Sequence, residues 1–163
     1  MVEISTTADM ENVGRMLGAV AQAGDVIVLT GELGAGKTTF TRGFAEALEV
    51  VTPVSSPTFI VARTHQRTFA EKPPLVHIDA YRLGQASELE DLDIDVANSI
   101  VVAEWAAPFI SVVSPHWLEI GIERPRGEVI EGSDQEEPRQ LTLSAHGPGS
   151  NRYGRYSTAL DAA

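Results

Sequence analysis

A glycine-rich loop that ends in lysine and threonine constrains the fold of this chain more than any other part of its sequence. Residues 31–38 read GELGAGKT and fit the pattern G-x-x-x-x-G-K-[ST] at every fixed position. The apolar, β-branched run Val26–Thr30 precedes the loop and predicts a buried central strand. Apolar residues at helical spacing follow it and predict a helix over residues 37–49. A strand, a glycine-rich turn and a helix in this order indicate a loop that binds phosphate groups.

Each residue type in this loop has a physical role in holding a nucleotide. Glycines let the backbone wrap closely, so that its N–H groups point at phosphate oxygens. Lys37 can reach the β- and γ-phosphates, the hydroxyl of Thr38 can bind Mg²⁺, and Thr39 can reach the α-phosphate. ATP is the expected nucleotide, because neither lysine of the chain belongs to the N-K-x-D motif of Ras-type guanine readers. The residues predicted to bind the phosphates are Gly34, Ala35, Gly36, Lys37, Thr38 and Thr39.

Two predicted strands end in an acidic residue, which is the second type of ligand that a loop-bound Mg²⁺ requires. Leu75–Asp79 and Ile100–Glu104 are apolar runs that each finish on a carboxylate. Because ligands bind at the carboxyl ends of parallel strands, Asp79 and Glu104 are predicted metal ligands. Both are also predicted catalytic residues, together with Lys37. The alternative interpretations are an aspartate that only forms a turn and a glutamate that is only solvated.

The remaining pattern adds a helix near the start of the chain and more strands after the loop. Thr7 is placed to cap the first helix. Residues 59–63 predict a strand, and residues 117–122 and 140–144 predict a late antiparallel pair. This order of elements predicts an α/β protein with a three-layer, P-loop NTPase-like fold. Its central sheet is expected to be mostly parallel, with antiparallel strands toward the C-terminus.

A chain of 163 residues suits one domain, which we expect to occupy residues 1–145. The connection over residues 123–137 is strongly acidic and is predicted to be a solvated loop without an assigned role. Residues 146–163 are rich in small and polar residues and are interpreted as lacking apolar periodicity. They therefore predict a flexible C-terminal tail.

Composition excludes several classes of chemistry. The chain has no cysteine, which excludes disulfides, thiolate zinc sites and cysteine nucleophiles. No apolar run approaches the roughly 20 residues that span a bilayer, and the acidic N-terminus does not resemble a signal peptide. We therefore expect a cytoplasmic protein. The net charge of −11 disfavours direct, independent binding to nucleic acid, because the phosphate backbone is also negative.

Four short motifs occur in an order and spacing typical of one protein family. They are GELGAGKTTFTRGFAEAL from Gly31, SPTF from Ser56, HIDAYRL from His77 and AEW from Ala103. Together they resemble the TsaE family, also called YjeE, over about residues 7–144. The resemblance implies a small P-loop ATPase that uses ATP and Mg²⁺. It also implies a role in forming threonylcarbamoyladenosine in tRNA, together with the TsaB–TsaD complex.

The same resemblance implies roles for individual residues. Thr38 and Glu104 would bind Mg²⁺, and Asp79 would be the acidic residue of a Walker B-like motif. Thr58, within the SPTF motif, would lie in a loop that senses the γ-phosphate. The remaining implied nucleotide contacts are Trp105, near the nucleotide or the partner surface, and Thr7 and Arg139, beside the adenine.

Three further residues bear on the predicted mechanism. His77 shares the predicted strand face of Asp79, but no metal-ligand spacing surrounds it, so it is interpreted as a structural residue. Arg82 is interpreted as the partner of a nearby glutamate, which leaves the site without an arginine from its own chain. This predicts slow ATP hydrolysis alone and faster hydrolysis when a partner completes the site. Glu104 is preferred over Asp79 as the group that orients the attacking water.

Two other classes of function remain open from the sequence. A small-molecule kinase shares the loop and the length, but such kinases usually carry an arginine-bearing lid over the phosphates. A nucleotide-gated interaction module would bind ATP and partners without needing hydrolysis. Phosphate transferred to a small substrate would identify the kinase, and biological activity that survives loss of Glu104 would identify the module.

Overall fold

Seven strands form one mixed β-sheet in the computed structural model, which describes residues 1–57, 59–124 and 138–162. In chain order the strands are β1 (Val2–Ile4), β2 (Val26–Thr30), β3 (Ala62–His65), β4 (Leu75–Asp79), β5 (Ile100–Glu104), β6 (Trp117–Glu123) and β7 (Arg139–His146). Their order across the sheet is β1-β7-β6-β2-β5-β4-β3. The four central strands, β6, β2, β5 and β4, are parallel to one another. Antiparallel pairing adds β7 and β1 at one edge and β3 at the other.

Helices and turns cover both faces of this sheet. The α-helices are α1 (Thr7–Ala19), α2 (Lys37–Ala47), α3 (Ala86–Glu90) and α4 (Gly154–Asp161). Ile27 of β2 packs in the apolar cluster that contains Phe44 of α2. Val28, the next residue, points to the opposite face and packs in the cluster that contains Leu89 of α3. The predicted three-layer α/β fold with a mostly parallel centre is therefore confirmed.

The predicted strands agree with the structure where they are buried on both faces. The bounds of β2, β4 and β5 match the prediction residue for residue, and the late antiparallel pair is present as β6 and β7. The strand predicted over residues 59–63 is present as β3, but its predicted bounds are wrong, because β3 begins at Ala62 and ends at His65. The amides of Ile60 and Val61 both bond to the carbonyl oxygen of Pro57, which closes a tight turn before the ladder starts.

The first helix is capped one residue earlier than predicted. The hydroxyl of Thr6 accepts a hydrogen bond of 3.1 Å from the amide of Asp9, and the Asp9 carboxylate accepts one of 2.9 Å from the amide of Thr6. This reciprocal pair is a capping box, which satisfies two amides that the helix itself leaves unpaired. Thr7 is therefore the first residue inside α1 and not its cap.

Helices α1 and α2 approach each other closely because glycines stand at their contact. A Cβ atom at Gly14 of α1 would lie 2.3 Å from the carbonyl oxygen of Phe40 in α2. A Cβ atom at Gly43 of α2 would lie 2.0 Å from the carbonyl oxygen of Glu11 in α1. Side chains are therefore excluded at both positions, and the two helix backbones are in direct contact.

The C-terminal segment folds onto the domain, so the predicted flexible tail and the predicted domain end at residue 145 are wrong. A 3₁₀ turn, Ser150–Tyr153, leads directly into α4. Tyr153, Tyr156 and Leu160 are buried in the same apolar cluster as the buried face of α1. Their spacing of three and four residues places them on one side of this segment.

A buried carboxylate immediately before β2 holds α4 in place. Tyr156 Oη donates a hydrogen bond of 2.6 Å to Asp25 Oδ2. Arg155 forms an ion pair with the same carboxylate, and Arg152 does so at 3.3 Å. Burial, followed by the neighbouring negative charge of Asp25, raises the pKa of Tyr156. The tyrosine hydroxyl therefore stays protonated and remains a donor to Asp25.

Part of the acidic connection that the sequence predicts over residues 123–137 lies outside the described residues, since the description stops at 124 and resumes at 138. Within the described ranges, no helix combines the length and the apolar character needed to cross a membrane.

Tyr156→Ala tests the packing of α4. We expect the free energy of unfolding to fall by about 3–5 kcal/mol, because the change removes a large core side chain and a donor to Asp25. Ser157→Ala, at the next and exposed position of α4, should change it by less than about 0.5 kcal/mol. Urea denaturation of both variants measures the difference. Equal stability of Tyr156→Ala and the unsubstituted protein would contradict the burial of this helix.

Candidate functional site

The loop between β2 and α2 turns on glycines in backbone conformations that other residues rarely adopt. The φ angles are 146° at Gly31, 77° at Gly34 and 111° at Gly36. A Cβ atom at Gly31 would lie 2.3 Å from the carbonyl oxygen of Ile122 in β6. The loop can therefore run against β6 only with glycine at this position. Gly36 then caps α2, whose first amides and positive dipole end face the space above the sheet.

Lys37, the first residue of α2, is nearly enclosed by the loop, with 4% of its surface exposed. Its Nζ donates hydrogen bonds to the carbonyl oxygens of Gly31 (2.8 Å) and Glu32 (2.9 Å). The same atom lies 4.0 Å from the centroid of the Trp105 ring, which is cation–π distance. The ammonium group of Lys37 therefore lies against the face of the Trp105 ring at the base of the loop.

Asp79 and Glu104 lie side by side at the carboxyl ends of neighbouring strands. They are directly paired in the parallel register of β4 and β5, and each has 3% of its surface exposed. Burial lowers the pKa of Lys37, whereas the charges of Glu104 and then Asp79 act to raise it. The structure therefore brings together the three predicted catalytic residues in one electrostatic cluster.

The carboxylate of Glu104 is held by two side chains. Thr38 Oγ1 donates a hydrogen bond of 3.2 Å to Glu104 Oε1. His77 Nε2 lies 2.9 Å from the same oxygen, and this contact is buried, with no exposed surface on His77. The predicted threonine ligand and the predicted acidic ligand are therefore in direct contact.

The carboxylate of Asp79 has both a structural role and a place in the site. Its Oδ1 accepts a hydrogen bond of 3.0 Å from the amide of Tyr81, which caps the 3₁₀ turn Ala80–Arg82. Its Oδ2 accepts one of 3.1 Å from the hydroxyl of Ser56. Asp79 therefore forms a turn, but it does not only do so, because it also lines the cavity described next.

These residues surround one cavity of about 410 Å³ above the carboxyl ends of β4 and β5. Its walls are formed by the loop, the first turn of α2 and the ends of the two strands. The lining residues are Leu33, Gly34, Gly36, Lys37, Thr38, Thr39, Ser56, Asp79, Tyr81, Glu104 and Trp105. Most of the predicted phosphate-binding and metal-binding residues are therefore neighbours around one space.

Three predicted nucleotide contacts among the described residues do not line this cavity. Ala35 belongs to the loop, but its side chain is buried in the apolar core. Thr7 begins α1, and Arg139 begins β7, where it pairs with Ile4 of β1. Thr58 lies outside the described residues. The implied adenine contacts, Thr7 and Arg139, therefore remain predictions for a region next to the phosphate loop.

The sequence interpretation missed several residues at the site. Tyr81 lines the cavity and packs edge-on against Trp105, with ring centroids 5.3 Å apart. Ser56 holds Asp79, and Arg124 donates a hydrogen bond of 2.8 Å to the carbonyl oxygen of Gly34. Tyr81 and Ser56 stand inside the quoted HIDAYRL and SPTF motifs, so a signal existed for them. None existed for Arg124, which stands at the edge of the acidic connection.

Trp105 separates this cavity from a larger one. Its backbone has φ = 61°, an uncommon conformation for a bulky residue, immediately after β5. The second cavity, of about 590 Å³, contains Trp105 in its wall and extends to Pro108 and Ile122. It is lined by neither Thr38, Asp79 nor Glu104. The predicted metal ligands therefore line the smaller cavity, whereas the polar side chains of the larger one include Thr30, Glu32 and Glu123.

The donor atoms of the smaller cavity suit a hard divalent cation. The hydroxyl of Thr38 and the carboxylates of Asp79 and Glu104 provide oxygen atoms, the ligand type that Mg²⁺ prefers. No cluster of three or more His, Cys, Asp and Glu residues in the described ranges could hold a metal ion. A cation here would therefore require further oxygen ligands, such as phosphate groups or water.

Gly31→Ala tests how tightly the loop depends on its contact with β6. We expect the free energy of unfolding to fall by roughly 2–4 kcal/mol, because the new methyl group would meet the Ile122 carbonyl in a strained conformation. Gly149→Ala is the matched control, since Gly149 also has positive φ but a Cβ there would have nothing within 4 Å. It should cost only about 1 kcal/mol. Equal losses in urea denaturation would contradict the close approach at Gly31.

Comparison with known proteins shows which family the chain resembles. Residues 4–130 match the family model of the threonylcarbamoyl adenosine biosynthesis protein TsaE. The TsaE protein of Streptomyces coelicolor is 43% identical over 141 residues, covering 85% of this chain and 91% of the relative. TsaE of Bacillus subtilis is 35% identical over 144 residues, covering 86% of this chain and 80% of the relative.

A solved structure has the same architecture. The crystal structure of Bacillus subtilis YdiB superimposes with a TM-score of 0.72 at 28% sequence identity, covering 98% of this chain and 92% of that one. The family model extends from β1 across the loop and both carboxylate-bearing strands. On these grounds, the chain belongs to the TsaE family of threonylcarbamoyl adenosine biosynthesis proteins.

Proposed function

We propose that this protein binds ATP with Mg²⁺ and hydrolyses ATP to support the formation of threonylcarbamoyladenosine in tRNA, acting with the TsaB–TsaD complex. The observation that carries the proposal is the convergence of Lys37, Thr38, Asp79 and Glu104 on one cavity at the glycine-rich loop. Membership of the TsaE family supports the tRNA modification role. A cytoplasmic location is part of this proposal.

In this proposal the loop and Lys37 grip the phosphates. The first amides of α2 and the loop amides present hydrogen-bond donors and a positive dipole to anionic oxygens. Lys37 lies at the base of the loop, where its only described hydrogen bonds are to two main-chain carbonyl oxygens. A negatively charged phosphate is a stronger partner for an ammonium group than a neutral carbonyl. Lys37 therefore exchanges these carbonyls for phosphate oxygens when the nucleotide binds.

Thr38, Glu104 and Asp79 would hold the Mg²⁺ ion, directly or through water. Bound there, the ion would neutralise charge on the phosphate oxygens. Of the two carboxylates, Glu104 is better placed to orient the attacking water. Both oxygens of Asp79 already accept hydrogen bonds, from Ser56 and Tyr81. Within the described ranges, by contrast, the contact of Glu104 Oε2 is a 3.5 Å one with Thr38.

Hydrolysis by the isolated protein is proposed to be slow, because no arginine of the described part of the chain lines the cavity. The predicted ion pair of Arg82 is absent among the described residues, and its guanidinium instead lies 4.6 Å from the ring centroid of Phe59. An arginine near the transferred phosphoryl group typically accelerates nucleotide hydrolysis by several orders of magnitude. The partner complex is proposed to complete the site.

The kinase alternative has less support than the ATPase. Residues 105–116, which connect the end of β5 to β6, contain neither lysine nor arginine, so this connection offers no basic lid over the phosphates. No observation on the structure favours the interaction module over the ATPase, and the second experiment below separates them.

The first experiment measures ATP hydrolysis with and without the TsaB–TsaD complex. We expect low activity alone, an increase of at least tenfold with the complex, and a loss on the order of 10²-fold or more in Lys37→Ala. Lys72→Ala removes the other lysine, which is exposed and remote from the cavity, and should hydrolyse ATP at the unsubstituted rate. Rapid hydrolysis by the isolated protein that the complex does not increase would contradict the proposal.

The second experiment asks whether hydrolysis is needed for tRNA modification. Glu104→Gln keeps the size of the side chain but removes its charge, so threonylcarbamoyladenosine formation in a reconstituted reaction should fall at least tenfold. Glu71→Gln, an exposed position away from the cavity, should have no effect. Full modification activity with Glu104→Gln, at a suppressed ATPase rate, would show that the protein is a nucleotide-gated module.

A further inference from the structure

A histidine outside the cavity makes the shortest contact with the Glu104 carboxylate. His77 Nε2 lies 2.9 Å from Glu104 Oε1, compared with 3.2 Å for Thr38 Oγ1. His77 has no exposed surface and does not line the cavity, so it cannot reach a bound nucleotide from its present position. Its contact with the site passes through Glu104.

The sheet places this histidine beside the carboxylate. In the parallel register of β4 and β5, His77 is opposite Val102, and Asp79 is opposite Glu104. Residues two apart on a strand point to the same face, so His77 and Glu104 share one face on adjacent strands. The pattern His-x-Asp on β4 therefore aims an imidazole at the acidic residue of the next strand.

The chemistry of the contact fixes which atom donates. An ionised carboxylate oxygen can only accept a hydrogen bond, so His77 Nε2 must carry the proton. The other ring nitrogen, Nδ1, is buried and has no hydrogen-bond partner among the described residues. The Glu104 carboxylate therefore accepts a hydrogen bond from the His77 ring, and this contact restrains the carboxylate.

The restraint matters because Glu104 has a competing partner. Lys37 is close enough to Glu104 for the carboxylate charge to act on its pKa. Without its histidine donor, the Glu104 carboxylate is held among the described side chains only by the 3.2 Å hydrogen bond from Thr38. Attraction to the ammonium group would then draw one carboxylate oxygen away from the metal position.

We propose that His77 is a positioning residue, whose Nε2–H donor holds the Glu104 carboxylate in the orientation that binds Mg²⁺. This inference rests on the proposed Mg²⁺–nucleotide site. It replaces the purely structural interpretation that the sequence favours for His77. Groups that orient a metal-binding side chain typically affect metal affinity by 10–100-fold.

A second buried histidine supplies the internal comparison. His65 of β3 is also fully buried, and its Nδ1 lies 2.7 Å from the hydroxyl of Thr52. It makes no hydrogen bond or ion pair with a carboxylate among the described residues. A substitution there perturbs the same apolar layer without removing a donor from Glu104.

The test uses two variants of similar length, His77→Gln and His77→Met. Glutamine keeps an N–H donor near the position of Nε2, whereas methionine removes it. We would measure equilibrium binding of a non-hydrolysable ATP analogue at increasing Mg²⁺, and binding of ADP in the presence of EDTA. We expect His77→Met to raise the Mg²⁺ concentration at half-saturation by at least tenfold, with metal-free ADP binding unchanged. His77→Gln and His65→Met should stay within about threefold of the unsubstituted protein.

The possible results distinguish a failure of the positioning role from a failure of the proposed function. Equal Mg²⁺ midpoints for His77→Met and His77→Gln would overturn the positioning role, as would a matching loss of metal-free ADP binding in His77→Met. Nucleotide binding by the unsubstituted protein that ignores Mg²⁺ would overturn the proposed function as well.

A measurement on the unsubstituted protein tests the inference even if the His77 variants fail to fold. Long-range ¹H–¹⁵N correlation spectra of the histidine-labelled, nucleotide-free protein report which ring nitrogens carry protons. We expect a proton on Nε2 of His77. A ring protonated only on Nδ1 would overturn the inference.

Discussion

Parallel pairing of β4 and β5 is the constraint on which the site depends. Parallel strands end at the same edge of a sheet, and the register of this pair sets Asp79 directly beside Glu104. The pairing of β2 with β5 brings the glycine-rich loop to that same edge, so Thr38 reaches Glu104. A shift of one residue in either pairing would turn the carboxylates to the opposite face of the sheet. The pairing and register of these strands therefore determine which side chains meet at the site.

The sequence predicts the parts of this arrangement that depend on local pattern. The loop, its flanking strand and the two acidic strand ends follow from short runs in which each residue type has one physical use. Contacts between distant segments are not readable in this way. The burial of Lys37 under Trp105 requires the unusual backbone of Trp105, and the contact between Arg124 and Gly34 joins residues far apart in the chain. The buried stripe of α4 had a signal, the spacing of Tyr153, Tyr156 and Leu160, but the small and polar residues between them obscured it.

Buried charged side chains have different roles before the start and after the end of β2. Near the start of β2, the Asp25 carboxylate forms ion pairs with Arg155 and Arg152 and accepts a hydrogen bond from Tyr156. These contacts hold α4 against the domain. At the other end, Lys37 is desolvated, and in the described part of the chain its Nζ donates hydrogen bonds to main-chain carbonyl oxygens, with carboxylates nearby. The Asp25 carboxylate is thus paired with cationic side chains of the same chain. The Lys37 ammonium would gain a stronger partner from the proposed anion, as expected of a site that is not optimised for stability alone.

The glycine contacts between α1 and α2 limit how this molecule can respond to a ligand. With backbone against backbone at Gly14 and Gly43, neither helix can roll about its own axis without a collision of main-chain atoms. A displacement of the first turn of α2 would therefore move α1 and α2 together as one rigid body. If the proposed nucleotide binds, we therefore expect the loop and the surrounding side chains to move more than α1 and α2.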